Sequence, residues 1–140
     1  MSKKYEFTNE TKKIEDYLGN FHTLHRIKAL KDFGDVNKGD LGGWLEKESN
    51  LSQGEDCWVD DNAQVFGDAR VFDDAWIYGH AQVFGSAQVL GEAQVHGFAW
   101  VYGHAQVYDD AWVYGNAMVH GIAWVCDNSV VCDDTELWGN

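Results

Sequence analysis

Histidine is the side chain in this sequence best suited to proton transfer near neutral pH, and four histidines lie in its second half: His80, His96, His104 and His120. An imidazole acts as a general base when it is held beside a reacting group that is shielded from water. No long loop interrupts residues 63–140 to supply that shielding. The chain also has no Ser/His/Asp order, no phosphate-binding loop and no HExxH motif. We therefore expect no catalytic residue among these histidines.

The cysteines offer little chemistry. Cys57, Cys126 and Cys132 are odd in number and show no CxxC spacing. Neither a disulfide framework nor a zinc site is expected from this pattern, which favours a reducing compartment. We interpret the three thiols as small apolar filler and expect neither a metal ion nor a cofactor.

The acidic residues are distributed unevenly. The net charge is −13; residues 1–50 contain nine Lys/Arg and nine Asp/Glu, whereas residues 51–140 contain only Arg70 against fourteen acids. So acidic a surface should repel nucleic acid and anionic membranes. It either keeps the protein soluble or attracts a basic partner. The start, MSKKYEF, lacks the apolar core of a signal peptide, and no apolar run reaches 18 residues, so a cytoplasmic location in a host cell is expected.

A six-residue repeat explains the spacing of most other residues. From Ala63 the chain reads AQVFGD, ARVFDD, AWIYGH, AQVFGS and so on, with an aliphatic residue at every sixth position from Val59 to Leu137. Small-X-aliphatic-X alternates with a period of two, which predicts a short strand with Ala and Val on the inner face. Gly-Asp, Asp-Asp or Gly-His follows, and these residues bend the chain. The glycine density and the β-branched period exclude an α-helix.

This repeat resembles the hexapeptide-repeat family, in which three hexapeptides form one 18-residue coil of a left-handed parallel β-helix. The resemblance covers residues 45–140 and implies an all-β triangular solenoid of about five coils. Residues 1–44 are expected to form a small capping module for its upper end. The run LHRIKALKDFGDVNKGDLGGWLEKESNLS is similar to the start of short hexapeptide-repeat proteins carried by phages and prophages. That likeness implies a phage or prophage origin.

Large side chains occupy the outward positions when the repeat is folded at 18 residues per coil. They form aromatic columns and should lie outside the narrow Ala/Val interior. Burial in a homo-oligomer, a trimer or dimer, is the leading interpretation; mutual stacking, or a pocket for a partner protein or a flat ligand, are the alternatives. The predicted binding and interface residues are Trp58, Trp76, Tyr78, His96, Trp112, Tyr114, Phe66, Phe84, Trp100, Tyr102, His120 and Trp138.

One corner of the triangle should be strongly acidic. Its predicted members are Asp73, Asp74, Glu92, Asp109, Asp110 and Asp127. Solvation alone, a hard cation such as Ca²⁺, or basic side chains of a partner would each offset the repulsion between them.

The lack of catalytic apparatus favours a non-enzymatic binding protein. Its partner would be a host protein or a small ligand, such as a nucleotide signal, and its role would be to blunt host defence. The family resemblance also implies an alternative, because many hexapeptide proteins are acyltransferases that use a histidine base between subunits. A structural element of a virion or filament is the third hypothesis.

Overall fold

Each hexapeptide forms a short strand and a corner, and the strands stack into a solenoid. The computed structural model describes residues 3–139. Its elements are β1 (Tyr5–Glu15), β2 (Phe21–Ala29), β3 (Leu41–Leu45), a 3₁₀ turn (Glu48–Asn50), β4 (Trp58–Val59), β5 (Gln64–Val65), β6 (Arg70–Val71), β7 (Trp76–Ile77), β8 (Gln82–Val83), β9 (Gln88–Val89), β10 (Gln94–Val95), β11 (Trp100–Val101), β12 (Gln106–Val107), β13 (Trp112–Val113), β14 (Met118–Gly121), β15 (Trp124–Val125), β16 (Val130–Val131) and β17 (Glu136–Gly139).

The strands form three sheets, one for each side of the triangle. Face A has the order β1-β2-β3-β5-β8-β11-β14-β17, face C has β15-β12-β9-β6, and face D has β16-β13-β10-β7-β4. Neighbouring solenoid strands are parallel with an offset of 18 residues, as in the pair Val95↔Val113. The predicted all-β solenoid of about five coils is therefore confirmed.

The first coil is longer than the others. Leu45 pairs with Val65 and Leu51 pairs with Val71, offsets of 20 residues, whereas Val59 already pairs with Ile77 at 18. The two extra residues lie between Leu51 and Cys57, in a loop whose tip at Gly54–Asp56 is exposed. The same two extra residues are visible in the sequence, because Leu51 and Val59 are eight residues apart and the repeat has a period of six.

The core is the axis of the triangle. Alanine and aliphatic side chains point inward and are almost completely buried from Ala63 to Val119. Every turn adds another layer of these small side chains, so the coils are held by backbone pairing and by a continuous narrow apolar column.

Residues 3–45 extend the sheet of face A. Strands β1 and β2 form an antiparallel hairpin, and β2 pairs antiparallel with β3, which starts the parallel sheet. The hairpin thus covers the upper edge strand of face A, an edge that would otherwise be free to pair with another chain. No helix in the described part of the chain is long and apolar enough to span a membrane.

Candidate functional site

The outer surface of face A carries a continuous stack of rings. Phe66, Phe84, Tyr102, His120 and Trp138 lie one above the other. Their centroids are 4.8–4.9 Å apart in the upper three steps and 6.2 Å apart in the last, with rings within 6° of parallel. This spacing follows from the distance between stacked strands, so identical positions in successive coils place rings in contact. We call these five rings the ladder.

The hairpin covers the top of the ladder. Tyr17, near the turn between β1 and β2, packs on Phe84 and Tyr102 at 5.8 and 5.2 Å, and His22 packs on Phe66 at 4.8 Å. Phe66, Phe84 and Tyr102 are consequently only 2%, 4% and 9% exposed. The expectation that these three rings form an open interface was wrong, because the N-terminal residues of the same chain already bury them.

Trp58 requires the same correction. It was predicted to lie on an outward aromatic face, but it is 1% exposed. Tyr5 and Phe33 pack edge-on against its ring at 6.4 and 5.3 Å. Trp58 therefore anchors the N-terminal residues to face D and is unavailable to a partner.

Face D carries a second, shorter ring stack that remains partly open. His96 lies between Tyr78 and Tyr114, with centroids 4.6 and 4.9 Å away. Its Nε2 is buried without a hydrogen-bond partner, and burial lowers the pKa of His96. Beside it, Gln94 pairs with Trp76 and Trp112 on either side and accepts a hydrogen bond from Tyr78 Oη at 2.9 Å. Gln94 and His96 thus place polar groups between the aromatic residues of the coils above and below them.

A cavity of about 520 Å³ opens beside the upper part of face D. It lies between the loop that contains Gly34 and Asp35 and the outer side of the first three coils. We call it the acidic groove. Its lining residues are Gly34, Asp35, Asp56, Asp60, Asp61, Asp74, Trp76, Tyr78, Glu92 and Gln94.

Charge and aromatic surface together define the chemistry of the acidic groove. Six carboxyl groups line it, with no lysine or arginine among the lining residues. Asp60 is the most enclosed of its aspartates, and burial raises its pKa above the ordinary value. Burial, with the nearby Asp61 carboxylate, also raises the pKa of Tyr78. Carboxylates around half-buried Trp and Tyr rings suit a cation, because ammonium groups are attracted both to negative charge and to ring faces.

The predicted acidic corner has two structural classes of residue. Asp73, Asp109 and Asp127 have positive φ angles of 57–58°, so they replace glycine at the bend. Asp73 accepts a hydrogen bond from Gly91 N at 3.1 Å, and Asp109 accepts one from Asp127 N at 3.0 Å. Asp74 and Glu92 instead line the acidic groove. Asp109, Cys126 and Asp127 have potential ligand atoms within 4.8 Å of one another, but the two aspartates are exposed and already share the corner hydrogen bond.

The remaining histidines and tryptophans lie apart from the acidic groove. His80 and His104 are exposed at corners, and His80 stacks on Phe98 at 5.0 Å. His120 accepts or donates one hydrogen bond with Glu136 at 2.7 Å. Trp100 is half-buried, whereas Trp138 is 61% exposed at the lower end of the ladder.

The sequence analysis missed most of the carboxyl groups of the acidic groove. Asp35, Asp56, Asp60 and Asp61 were not predicted as site residues, yet they supply four of its six carboxyl groups. The 18-residue spacing of Asp56, Asp74 and Glu92 offered a signal for one of them. Nothing in the periodicity could place Asp35, because it lies outside the repeat.

Repeat, register and sheet topology together define a hexapeptide-repeat β-solenoid protein. Residues 63–79 and 105–121 match the family described as YdcK beta solenoid repeat. Over 69 residues the chain is 38% identical to a protein of Escherichia coli (strain K12) named "Uncharacterized acetyltransferase YdcK". The match covers 46% of this chain and 21% of that protein, so the chain spans about a fifth of the curated relative it matches.

This likeness contradicts the expectation that the protein is not an enzyme, because the relative's name is that of an acetyltransferase. The expectation depended on the absence of an inserted loop in residues 63–140 and on the surface position of the histidines. The uninterrupted repeat establishes only that no long loop is inserted into residues 63–140. It does not decide whether the solenoid surface contributes to an active site.

Proposed function

We propose that the acidic groove binds a small organic amine in its cationic form, and that the protein takes part in acetyl transfer to such an amine. The observation that carries the proposal is the lining of the groove by six carboxyl groups around Trp76 and Tyr78. For transfer, the bound ammonium group first loses a proton to water or to a groove carboxylate; the free amine then attacks the thioester of acetyl-CoA, the amide bond forms as the C–S bond breaks, and coenzyme A leaves as its thiol. The name of the Escherichia coli relative supports this class of reaction.

The negative charge of the acidic groove favours a cationic ligand over an anionic one. A nucleotide signal would bring phosphate groups against six carboxyl groups, which Coulomb repulsion strongly disfavours. A cationic amine would instead gain from each of them. Neither the groove nor the likeness to YdcK supports the phage origin or the host-defence role expected from the sequence.

Spermidine is a suitable probe, and isothermal titration calorimetry at low and high salt measures its binding. Changing Asp60 and Asp74 together to Asn should weaken binding about tenfold or more, since two charges that face the ligand are lost. The matched control is the double change of Asp110 and Asp127 to Asn, which removes the same charge outside the groove. Equal losses in the two variants would show that spermidine binds by net charge alone and would contradict the proposal.

Trp76→Leu tests the aromatic contribution separately. Removal of a cation–π contact costs about 0.5–2 kcal/mol, so binding should weaken by roughly two- to thirty-fold. Incubation of the protein with acetyl-CoA and spermidine, followed by mass spectrometry, tests the transfer step. Binding without acetylated product would leave the amine site in place and overturn the acetyl-transfer part.

A further inference from the structure

A histidine with two carboxylate partners fastens the hairpin tip to the solenoid. His22 Nε2 lies 2.8 Å from Asp16 Oδ2, and Nδ1 lies 2.9 Å from Glu46 Oε2. Asp16 belongs to the hairpin itself, whereas Glu46 follows β3 in the first coil. The imidazole is 16% exposed and its ring packs on Phe66.

Both carboxylates are fixed by further hydrogen bonds. Asp16 Oδ1 accepts from the backbone N–H groups of Leu18 and Asn20, each at 2.9 Å. Glu46 Oε1 accepts from Gly67 N at 2.8 Å. Neither carboxylate can therefore turn away easily if the imidazole stops donating to it.

The protonation state of His22 decides how many of these bonds can form. A charged imidazolium donates from both nitrogens, whereas a neutral imidazole has one donor and one lone pair. The lone pair would face a carboxylate, which has no proton to give. The small cavity beside His22 has one further charged side chain among its lining residues, Asp68 from the corner after β5, and Lys47 donates a hydrogen bond to Asp68 at 2.7 Å. Because Lys47 is paired with Asp68, it does not form the salt bridge with Asp16 or Glu46 that His22 forms.

We propose that His22 is a pH-sensitive latch: its charged form holds the hairpin tip over Phe66, Phe84 and Tyr102, and loss of its proton releases the tip. Release would open the upper ladder, an apolar surface that the hairpin otherwise covers. The exposed Tyr17 and Leu18 of the tip would leave with it.

The groups around His22 determine the direction in which its pKa is shifted. Burial alone would lower its pKa, but the hydrogen bonds from the ring to Asp16 and Glu46 outweigh burial and raise the pKa above the ordinary value of about 6.5. The His22 bonds also lower the pKa of Asp16, so that carboxylate stays ionised. The hairpin tip should thus be held on the solenoid at a pH below the pKa that His22 has in the unfolded chain. It should be released as the pH rises through the raised pKa of His22 in the folded chain.

NMR spectroscopy of the whole chain tests the latch directly. The ring protons of Tyr17 should show ring-current shifts from Phe84 and Tyr102 at pH 5.5, and these shifts should collapse with the same midpoint as the His22 titration. Retention of the Tyr17 shifts after His22 has lost its proton would overturn the proposal.

His22→Gln supplies the second test, because glutamine donates hydrogen bonds but carries no charge. Its Tyr17 shifts should be lost at pH 5.5, while circular dichroism retains the β signature of the solenoid. His104→Gln, which changes an exposed corner histidine, is the matched control and should keep the parent's pH response. A His22→Gln protein with parent-like Tyr17 shifts at pH 5.5 would also overturn the latch.

Discussion

At the scale of single residues, the corners select for side chains that tolerate a left-handed backbone. The non-glycine residues with positive φ among residues 3–139 are Glu55, Asp61, Asp73, Asp109, Asp127 and Asp133. Three of these carboxylates also accept a hydrogen bond from the corner below or above them. An aspartate is therefore a structural corner residue here as well as a source of charge.

Asp109→Ala should destabilise the fold by about 1–3 kcal/mol, from the left-handed strain on alanine and the lost bond to Asp127 N. Asp109→Asn should retain most of the stability, since asparagine tolerates this φ and its side-chain oxygen can accept the same bond. Urea unfolding measures both. Asp110→Ala, one residue along at an exposed position, is the control, and an equal loss there would contradict the assignment of a corner role to Asp109.

Val95→Asp should unfold the solenoid. Val95 is 0% exposed and lies between Ile77 and Val113 in the axial column, so a carboxylate there would have no partner. An unpaired buried charge costs several kcal/mol, a large fraction of the stability of a domain. Gln106→Asp, at an outward strand position, should remain folded by circular dichroism. A folded Val95→Asp protein would disprove the assumed packing of the axis.

At the scale of elements, the hairpin and the ladder stabilise each other. Phe84 is enclosed by Phe66 above, Tyr102 below, Trp100 at its edge and Tyr17 from the hairpin. Two elements that are distant in sequence therefore meet at one ring.

Phe84→Ala should cost about 3–5 kcal/mol, the range for a buried phenylalanine, because the ladder loses its central contact. Leu90→Ala is the control, since Leu90 is a half-buried outward residue of the same coil on face C. Thermal unfolding measures the difference. Equal effects of the two substitutions would mean that the ladder contributes no more than ordinary surface contacts.

At the scale of the whole molecule, the lower coils expose large apolar side chains. Trp112, Trp124 and Trp138 are 44%, 64% and 61% exposed and lie on three different faces, D, C and A respectively. Exposed tryptophans are typical of interaction surfaces. Self-association therefore remains our prediction.

Sedimentation equilibrium of the parent protein at micromolar concentration should give a mass above the 15.8 kDa of one chain. Replacing Trp112 and Trp124 with Ser should shift the mass toward one chain, because each buried ring contributes roughly 2–3 kcal/mol to an interface. The β signature should persist in the variant. A parent mass of one chain, or an unchanged mass in the double variant, would show that these two tryptophans do not form the interface.

The solenoid could be predicted from the amino-acid sequence alone, because its six-residue period is local. Ala and Val alternate with outward residues within four positions, and six-residue spacing with glycine or aspartate at the bends leaves few other ways to bury them. Even the insertion between Leu51 and Val59 could be read from this spacing. Which outward rings are covered, and where the acidic groove lies, could not be predicted in this way. Tyr17 packs on Tyr102, and Asp35 lines the same groove as Trp76, although the residues of each pair are far apart in sequence. Such contacts follow from how the hairpin and the loop at Gly34 pack on the coils, and they leave no periodic signal in the chain.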